Sequence, residues 1–452
     1  VKIVIVGGGL VGDALAGYLS QEGHDIVVVD SSQEVIENTV NKYDVNGVCG
    51  NGGIKEILET AGADKADIVI AVSYFDELNI LCCQISKLIG AKHTIARVRA
   101  PDYVGQVEFM KKKLGISMIV NPEQEAAAEI AQLLKYPTAN KVEHFAKGKI
   151  GIVEIDIEDD SLLKNIKIKE LPNIFSQPLL ICAIRRGGNV IIPSGGTEIL
   201  VGDTVSIVST SVNLVAFFKR INMFRQRAKS LMIIGGGGTA FYLAKQLAEV
   251  GVSVKIIEES MDRCIELSNQ LSGVNVICGN GSDRQVLEDE GVSSMDAIAV
   301  MTESDEQNIV ISMYCKQAGK HQVVTKISND GYKGLLDAVD LDSVISPHQV
   351  TAAQIIRYAR AISSPKHDTI ITLYKIANEQ AEALEFEVSA KFKYIGYKVK
   401  DIKLRQNLLL VGIIRGQQTI IPDGETTINL DDHIIVVVAN QKLTAIEDIL
   451  RQ

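Results

Sequence analysis

The sequence predicts an α/β protein: two Rossmann-like parallel-sheet nucleotide-binding domains, each followed by a small α+β C-terminal subdomain, in tandem duplication. Three observations predict it. Two glycine-rich fingerprints follow apolar runs, Gly7-Gly8-Gly9-Leu10-Val11-Gly12 after Lys2-Ile3-Val4-Ile5-Val6, and Gly235-Gly236-Gly237-Gly238-Thr239-Ala240 after Leu231-Met232-Ile233-Ile234. Matched residues recur at a nearly constant offset: Gly7 with Gly235 and Asp30 with Glu258 at 228, Cys49-Gly50-Asn51-Gly52 with Cys278-Gly279-Asn280-Gly281 at 229. After Tyr136-Pro137, and again after Ser364-Pro365, the glycine-rich turns give way to short strands with turn signals.

In the first copy, short β-branched runs near residues 2 to 6, 26 to 30, 45 to 48, 68 to 72, 94 to 98 and 117 to 120 read as strands. They alternate with helical stretches, and 10 to 22 and 76 to 89 have the apolar spacing of helices laid on a sheet. That alternation is the βαβ signature of an open parallel sheet. The stretch 68 to 79 matches 297 to 308, and both end in Asp-Glu-x-Asn. Leu179 to Gly187, Ile191-Ile192-Pro193 and Gly202 to Val208 read as the first small unit, repeated by Leu408 to Gly416, Ile420-Ile421-Pro422 and Asp431 to Val436. The predicted domains are 1–136, 137–220, 221–364 and 365–452.

Composition narrows the class. With 452 residues, 46% apolar and 23% charged, the chain is long enough for about three or four globular domains. No apolar run approaches the roughly 18 residues of a membrane span, and the chain enters its first strand at Val1-Lys2-Ile3, so a cytoplasmic protein is expected. A net charge of −10 disfavours nonspecific nucleic-acid binding. Seven cysteines without a CxxC pair read as reduced thiols, and Cys49 and Cys278 read either as small residues packed behind the nucleotide loops or as a redox pair. The basic stretch Lys219 to Lys229 reads as a linker, with contact to an acidic partner or to membrane headgroups as the alternative.

The glycine loops carry the chemistry. Their first glycine permits the turn, the second lets backbone approach a pyrophosphate, and the third position, Gly12 or Ala240, sets the helix close to the strand. Phosphate then meets unpaired amides at a helix N-terminus. Asp30, 18 residues past Gly12, suits the ribose hydroxyls, and Ser31-Ser32 after it disfavour a 2′-phosphate, leaving NAD(H), ATP or ADP. Glu258 is its counterpart, and the alternative for both is a helix-capping carboxylate. Arg97 is placed to meet phosphate or to form a surface ion pair, and Lys326 matches it. No metal site is expected: the histidines are scattered, His93 and His321 read as solvated turn residues, and Glu123 after Pro122 is matched by His348 after Pro347. No catalytic constellation accompanies the nucleotide sites, which points to binding rather than catalysis, with an NAD-dependent oxidoreductase or a ligand-independent scaffold as alternatives.

The tandem order of a glycine-loop domain, an Asp-Glu-x-Asn segment and a small unit with Arg-x-Gly, Ile-Ile-Pro and Gly-Asp or Asp-Asp resembles the TrkA family of bacterial Trk potassium uptake regulators, whose domain pairs are known as RCK or KTN. The resemblance covers essentially the whole chain. It implies a non-enzymatic cytoplasmic regulator, peripheral on the inner face of the membrane, that binds NAD(H) or ATP/ADP. It further implies a homo-oligomer, dimer or tetramer, forming a ring on a potassium-translocating membrane subunit of Trk/Ktr type. The nucleotide contacts it implies are Gly7, Gly8, Gly9, Leu10, Val11, Gly12, Asp30, Gly50, Asn51, Ser73, Tyr74 and Arg97 in the first half. In the second half they are Gly235, Gly236, Gly237, Gly238, Thr239, Glu258, Asn280, Thr302 and Lys326. Ala240, Glu258 and Lys326 depart from the pattern, so the first site is expected to be the better equipped.

Overall fold

The computed structural model describes residues 1–135, 141–145, 149–221, 228–319, 322–332, 335–336, 339, 341, 343–363, 370–377 and 380–451. The boundary residues Tyr136, Pro137, Ser364 and Pro365, the centre of the basic linker at 222–227, and His321 lie outside them.

The first half opens with β1 (Lys2–Val6), α1 (Leu10–Gln21), β2 (Asp25–Asp30), α2 (Gln33–Lys42), β3 (Asn46–Cys49) and α3 (Lys55–Thr60). It continues with β4 (Ile68–Ala71), α4 (Asp76–Ile89), β5 (His93–Arg97), α5 (Pro101–Val104), α6 (Val107–Leu114), β6 (Met118–Val120) and α7 (Pro122–Lys135). The six strands form a parallel sheet in the order β3-β2-β1-β4-β5-β6. Ile3, Val4 and Ile5 of β1 are fully buried, which is what a β-branched run covered by helices on both faces requires. The order reverses between β1 and β4, so the crevice at their carboxyl ends is the expected ligand position.

A small antiparallel sheet follows, β10-β9-β11-β8-β7, from β7 (Lys141–Phe145), β8 (Ile150–Asp156), β9 (Leu180–Arg186), β10 (Asn189–Ile191) and β11 (Thr204–Thr210), with α8 (Leu171–Ile174) and α9 (Ser211–Arg220). The second half repeats the plan. Its parallel sheet β14-β13-β12-β15-β16-β17 comprises β12 (Ser230–Ile234), β13 (Ser253–Glu258), β14 (Val274–Cys278), β15 (Ala297–Val300), β16 (Gln322–Lys326) and β17 (Val344–Ile345). Among its helices are α10 (Gly238–Glu249), α11 (Met261–Gln270), α12 (Arg284–Asp289), α13 (Asp305–Ala318) and α14 (Pro347–Ser363). The last sheet, β18-β19-β22-β20-β21, is built from β18 (Ile370–Ile376), β19 (Ala381–Glu387), β20 (Leu408–Arg415), β21 (Gln418–Ile420) and β22 (His433–Ala439).

In space, like packs with like. Val1–Ala131 and Ala228–Ala359 make one compact unit holding both parallel sheets, and Gln132–Arg227 with Arg360–Gln452 make another holding both antiparallel sheets. Within the second unit one apolar core is shared by the two small sheets, with Phe145, Ile150 and Ile152 beside Ile376, Ala383 and Val437. The repeated Arg-Gly pair, Arg186-Gly187 and Arg415-Gly416, and the Gly-Asp or Asp-Asp pair hold the ends of these sheets. Arg186 forks onto both carboxylate oxygens of Asp203 at 2.7 Å, and Arg415 onto those of Asp432 at 2.8 Å, each aspartate being buried. No described helix is long and apolar enough to cross a membrane.

Candidate nucleotide site

The chain leaves β1 at Val6 and turns at Gly7, whose φ of 103° lies in the left-handed region, and Gly235 repeats this at 98°. A Cβ on Gly12 would stand 1.9 Å from the carbonyl oxygen of Gly7, so the first turn of α1 lies directly on the loop. The two glycine-loop helices begin without a side-chain cap, at Gly9 for α1 and Gly237 for α10. The helices that follow them are capped: Ser32 accepts from the Val35 amide and Ser260 from the Arg263 amide. Space is open around Gly9 and Gly237, where a Cβ would meet nothing within 4 Å. Uncapped first-turn amides facing open space are a place for an anion. Leu10 points outward and Val11 is buried, so these two offer backbone rather than side chains.

Asp30 ends β2 and accepts from the Gly8 amide at 2.7 Å and the Ser32 amide at 2.9 Å. Glu258 ends β13 and accepts from Gly236 at 2.7 Å and Ser260 at 2.8 Å. The longer glutamate therefore reaches the same position. Because serines cap the following helices, neither carboxylate is the N-cap, and each has acceptor capacity left for a ribose diol. Beyond them, the Gly50 amide donates to the Asp30 carbonyl oxygen, Asn51 closes its turn by accepting from Gly53, and Asn280 does so from Ser282. Cys49 and Cys278 pair with Asp30 and Glu258 in the sheets but are exposed, so they are not packed behind the loops.

The Asp-Glu-x-Asn segment turns out to be the scaffold of the opposite wall. Fully buried Asn79 accepts from the Ser73 amide at 2.8 Å and hydroxyl at 2.7 Å, and donates to the carbonyls of Ser73 at 3.0 Å and Arg97 at 2.9 Å. Asn308 makes the same four bonds with Thr302 and Lys326. Asp76 and Asp305 each accept from the second and third amides past β5 and β16, those of Arg99 and Ala100 and of Ser328 and Asn329. Replacing Asn79 with alanine takes the partner from the Ser73 amide and this donor from the Arg97 carbonyl, and leaves the Ser73 carbonyl with the Arg97 guanidinium alone. The expected cost is about 2 to 4 kcal/mol, seen as a lower unfolding midpoint, and Asn79→Asp is expected to restore little of it because a carboxylate cannot donate.

Arg97 donates to the Ser73 carbonyl, while its Nε is buried with no hydrogen-bond partner among the described residues. Burial, with Arg99 adding repulsion, lowers its pKa to about 10. A desolvated guanidinium with an unclaimed donor fits an incoming phosphate. Lys326 occupies the corresponding place, its pKa likewise lowered by burial. Tyr74 is 71% exposed with the Arg99 guanidinium over its ring at 4.8 Å, so it stands at the rim. Thr239 is buried in the first turn of α10.

Two features were not visible in the sequence reading. Arg263 on α11 donates to the Gly236 carbonyl at 2.8 Å, placing a guanidinium at the second loop. Its counterpart is Val35, so the offset that revealed the repeat also hid this charge. The two nucleotide domains also meet through polar groups: Asn121 donates to the Tyr242 hydroxyl at 3.0 Å, and that hydroxyl donates to the Arg99 carbonyl at 3.0 Å. His93 opens β5, half-buried and edge-on to Tyr358, rather than sitting in a solvated turn. Among the described residues no group of three or more His, Cys, Asp or Glu is arranged to hold a metal.

The chain matches the TrkA-N domain family over residues 3–122 and 231–347, and the TrkA-C domain family over 152–222 and 383–451. It is 33% identical to the Trk system potassium uptake protein TrkA homolog of Archaeoglobus fulgidus, with both chains covered in full. It is 31% identical to the Trk system potassium uptake protein TrkA of Vibrio alginolyticus, over 98% of this chain and 96% of that one. A solved structure of the GsuK channel bound to NAD shares the fold, with a TM-score of 0.62 at 18% identity over 97% of this chain and 77% of that chain.

Proposed function

The chain belongs to the TrkA family, and from that premise we propose that it is the regulatory subunit of a potassium uptake system that senses adenine nucleotides, NAD(H), ATP or ADP, at its glycine loops. The observation that carries this reading is the first loop. There an uncapped helix N-terminus, the Asp30 carboxylate tied to Gly8, and the unclaimed Nε of Arg97 surround the carboxyl ends of β1 and β4. Such a group of contacts holds a ribose and a pyrophosphate and offers positioning rather than bond-breaking chemistry.

The output is a change of shape. Arg97 and Arg99 belong to the rim of the first site, and the carbonyl of Arg99 is bonded to Tyr242 of the other nucleotide domain. A phosphate that draws these arginines alters that contact, and differential affinity for two arrangements is all a ligand needs to shift their populations. The names of the relatives support a potassium uptake system as the setting, in which a ring of these units acts on a membrane translocating subunit at its cytoplasmic side.

Calorimetry on the full chain with NADH, NAD, ATP and ADP tests the reading. At least one is expected to bind, and Asp30→Ala to weaken the first site about 10- to 100-fold through lost charge-assisted hydrogen bonds. Absence of binding by all four, or an unchanged affinity in the variant, refutes it.

A further inference from the structure

Across the interface of the two nucleotide domains, the two glycine loops meet different chemistry. Glu123, in the first turn of α7, is pressed against the second loop. A Cβ built on Gly238 would lie 1.9 Å from its Oε2, 2.4 Å from its Cδ and 2.9 Å from its Oε1. The carboxylate thus rests on the first residue of α10, at the uncapped end where a nucleotide phosphate would come to lie. In the other copy, Leu10 stands in place of Gly238 and His348 in place of Glu123. These two departures from the repeat are one contact: a side chain at 238 and a carboxylate from 123 exclude each other.

We propose that Glu123 is an intramolecular anion at the phosphate end of the second glycine loop, so that this loop admits a nucleotide diphosphate only when the carboxylate is displaced or neutralised, while the first loop admits it freely. This rests on the nucleotide reading above. The physical basis is that a helix N-terminus attracts one anion, and a second within a few ångströms repels it. The groups facing Glu123 are Arg97 at the end of β5 and Arg99 just beyond it, Asp76 on α4, Lys326 on β16 and Tyr242 on α10. Burial raises the pKa of Glu123, with Asp76 adding to the rise and Arg99, Lys326 and Arg97 opposing it. The acid form carries no charge to repel phosphate. Binding at the second loop therefore takes up a proton and tightens as pH falls through the Glu123 pKa.

The test is calorimetry on the full chain carrying Asp30→Ala, which weakens the first site, with NAD as probe because its pyrophosphate does not titrate near neutrality. With Glu123 present, affinity at the second loop is expected to rise about tenfold or more from about pH 8 to about pH 6. Glu123→Gln is expected to bind at least about tenfold more tightly at the higher pH and to lose the pH dependence. Gly238→Ala is a second variant, because its methyl group pushes out the flexible end of Glu123. It is expected to raise affinity in the same way, with no further gain when combined with Glu123→Gln. If Glu123→Gln and Gly238→Ala, both folded by circular dichroism, bind NAD no better than their parent, the inference falls while the nucleotide reading stands on the first site. If NAD, ADP and ATP bind neither the parent nor the Asp30-containing chain, both fall together.

Discussion

Gly12→Ala is expected to weaken nucleotide binding at the first loop more than about 100-fold and to destabilise the chain by about 3 kcal/mol. The added methyl would stand 1.9 Å from the Gly7 oxygen and 2.9 Å from the Gly7 carbonyl carbon, with Ile5 next at 3.6 Å. Two of these atoms are backbone, so no side-chain rotation relieves the overlap, and α1 must move off the turn that positions Gly8 and Gly9. Losing two amide bonds to a charged phosphate accounts for the affinity change. The second copy is the internal control. It carries fully buried Ala240 at this place, so its turn already holds one methyl, and Ala240→Gly is expected to cost no more than about 1 kcal/mol. Calorimetry and thermal melts of both variants check this, and equal effects at 12 and 240 would contradict it.

Arg415→Met is expected to destabilise the second small sheet by about 3 kcal/mol. Asp432 is fully buried and accepts two bonds from the Arg415 guanidinium and one from the Asn429 amide. Without the arginine the carboxylate is left buried and unpaired, the costly way to break such a pair. Arg415 is itself about one-third exposed, which keeps the effect at the low end of the buried range. Because the chain holds several domains, hydrogen exchange across β19 to β22 is a better measure than a single melting temperature. Exchange there is expected to quicken about 100-fold. The Arg415→Met, Asp432→Asn double variant is expected to recover part of the loss, since the neutral amide removes the stranded charge.

Much of this architecture was legible in the chain. The strands of the first parallel sheet are β-branched runs bounded by glycine turns, and the expected segments at 2 to 6, 26 to 30, 68 to 72 and 94 to 98 overlie β1, β2, β4 and β5. The strand β8 carries no such signature. Its alternation is broken by Glu154, which is buried because it accepts from the Ala377 amide 223 residues away, a partner no local pattern announces. At the site, the positions of Asp30 and Glu258 followed from spacing, but the structural work of Asn79 did not. An asparagine at the start of a helix reads as polar surface until the carbonyls that surround it are known. Arg263 is hidden for the opposite reason, as it has no partner in the repeat. Internal homology brings out what the copies share and conceals what only one of them has.

The contact between Glu123 and Gly238 occurs once among the described residues, and this follows from covalent fusion. In a symmetric pair of single-copy chains, any residue facing a glycine loop must face both, because the two surfaces are encoded by the same codons. Joining the copies end to end releases that constraint. Leu10 with His348 and Gly238 with Glu123 are separate places in one sequence, free to be changed one at a time. A duplicated chain can thus keep the geometry of a twofold dimer while assigning its two faces unequal work, an option closed to the identical subunits it imitates.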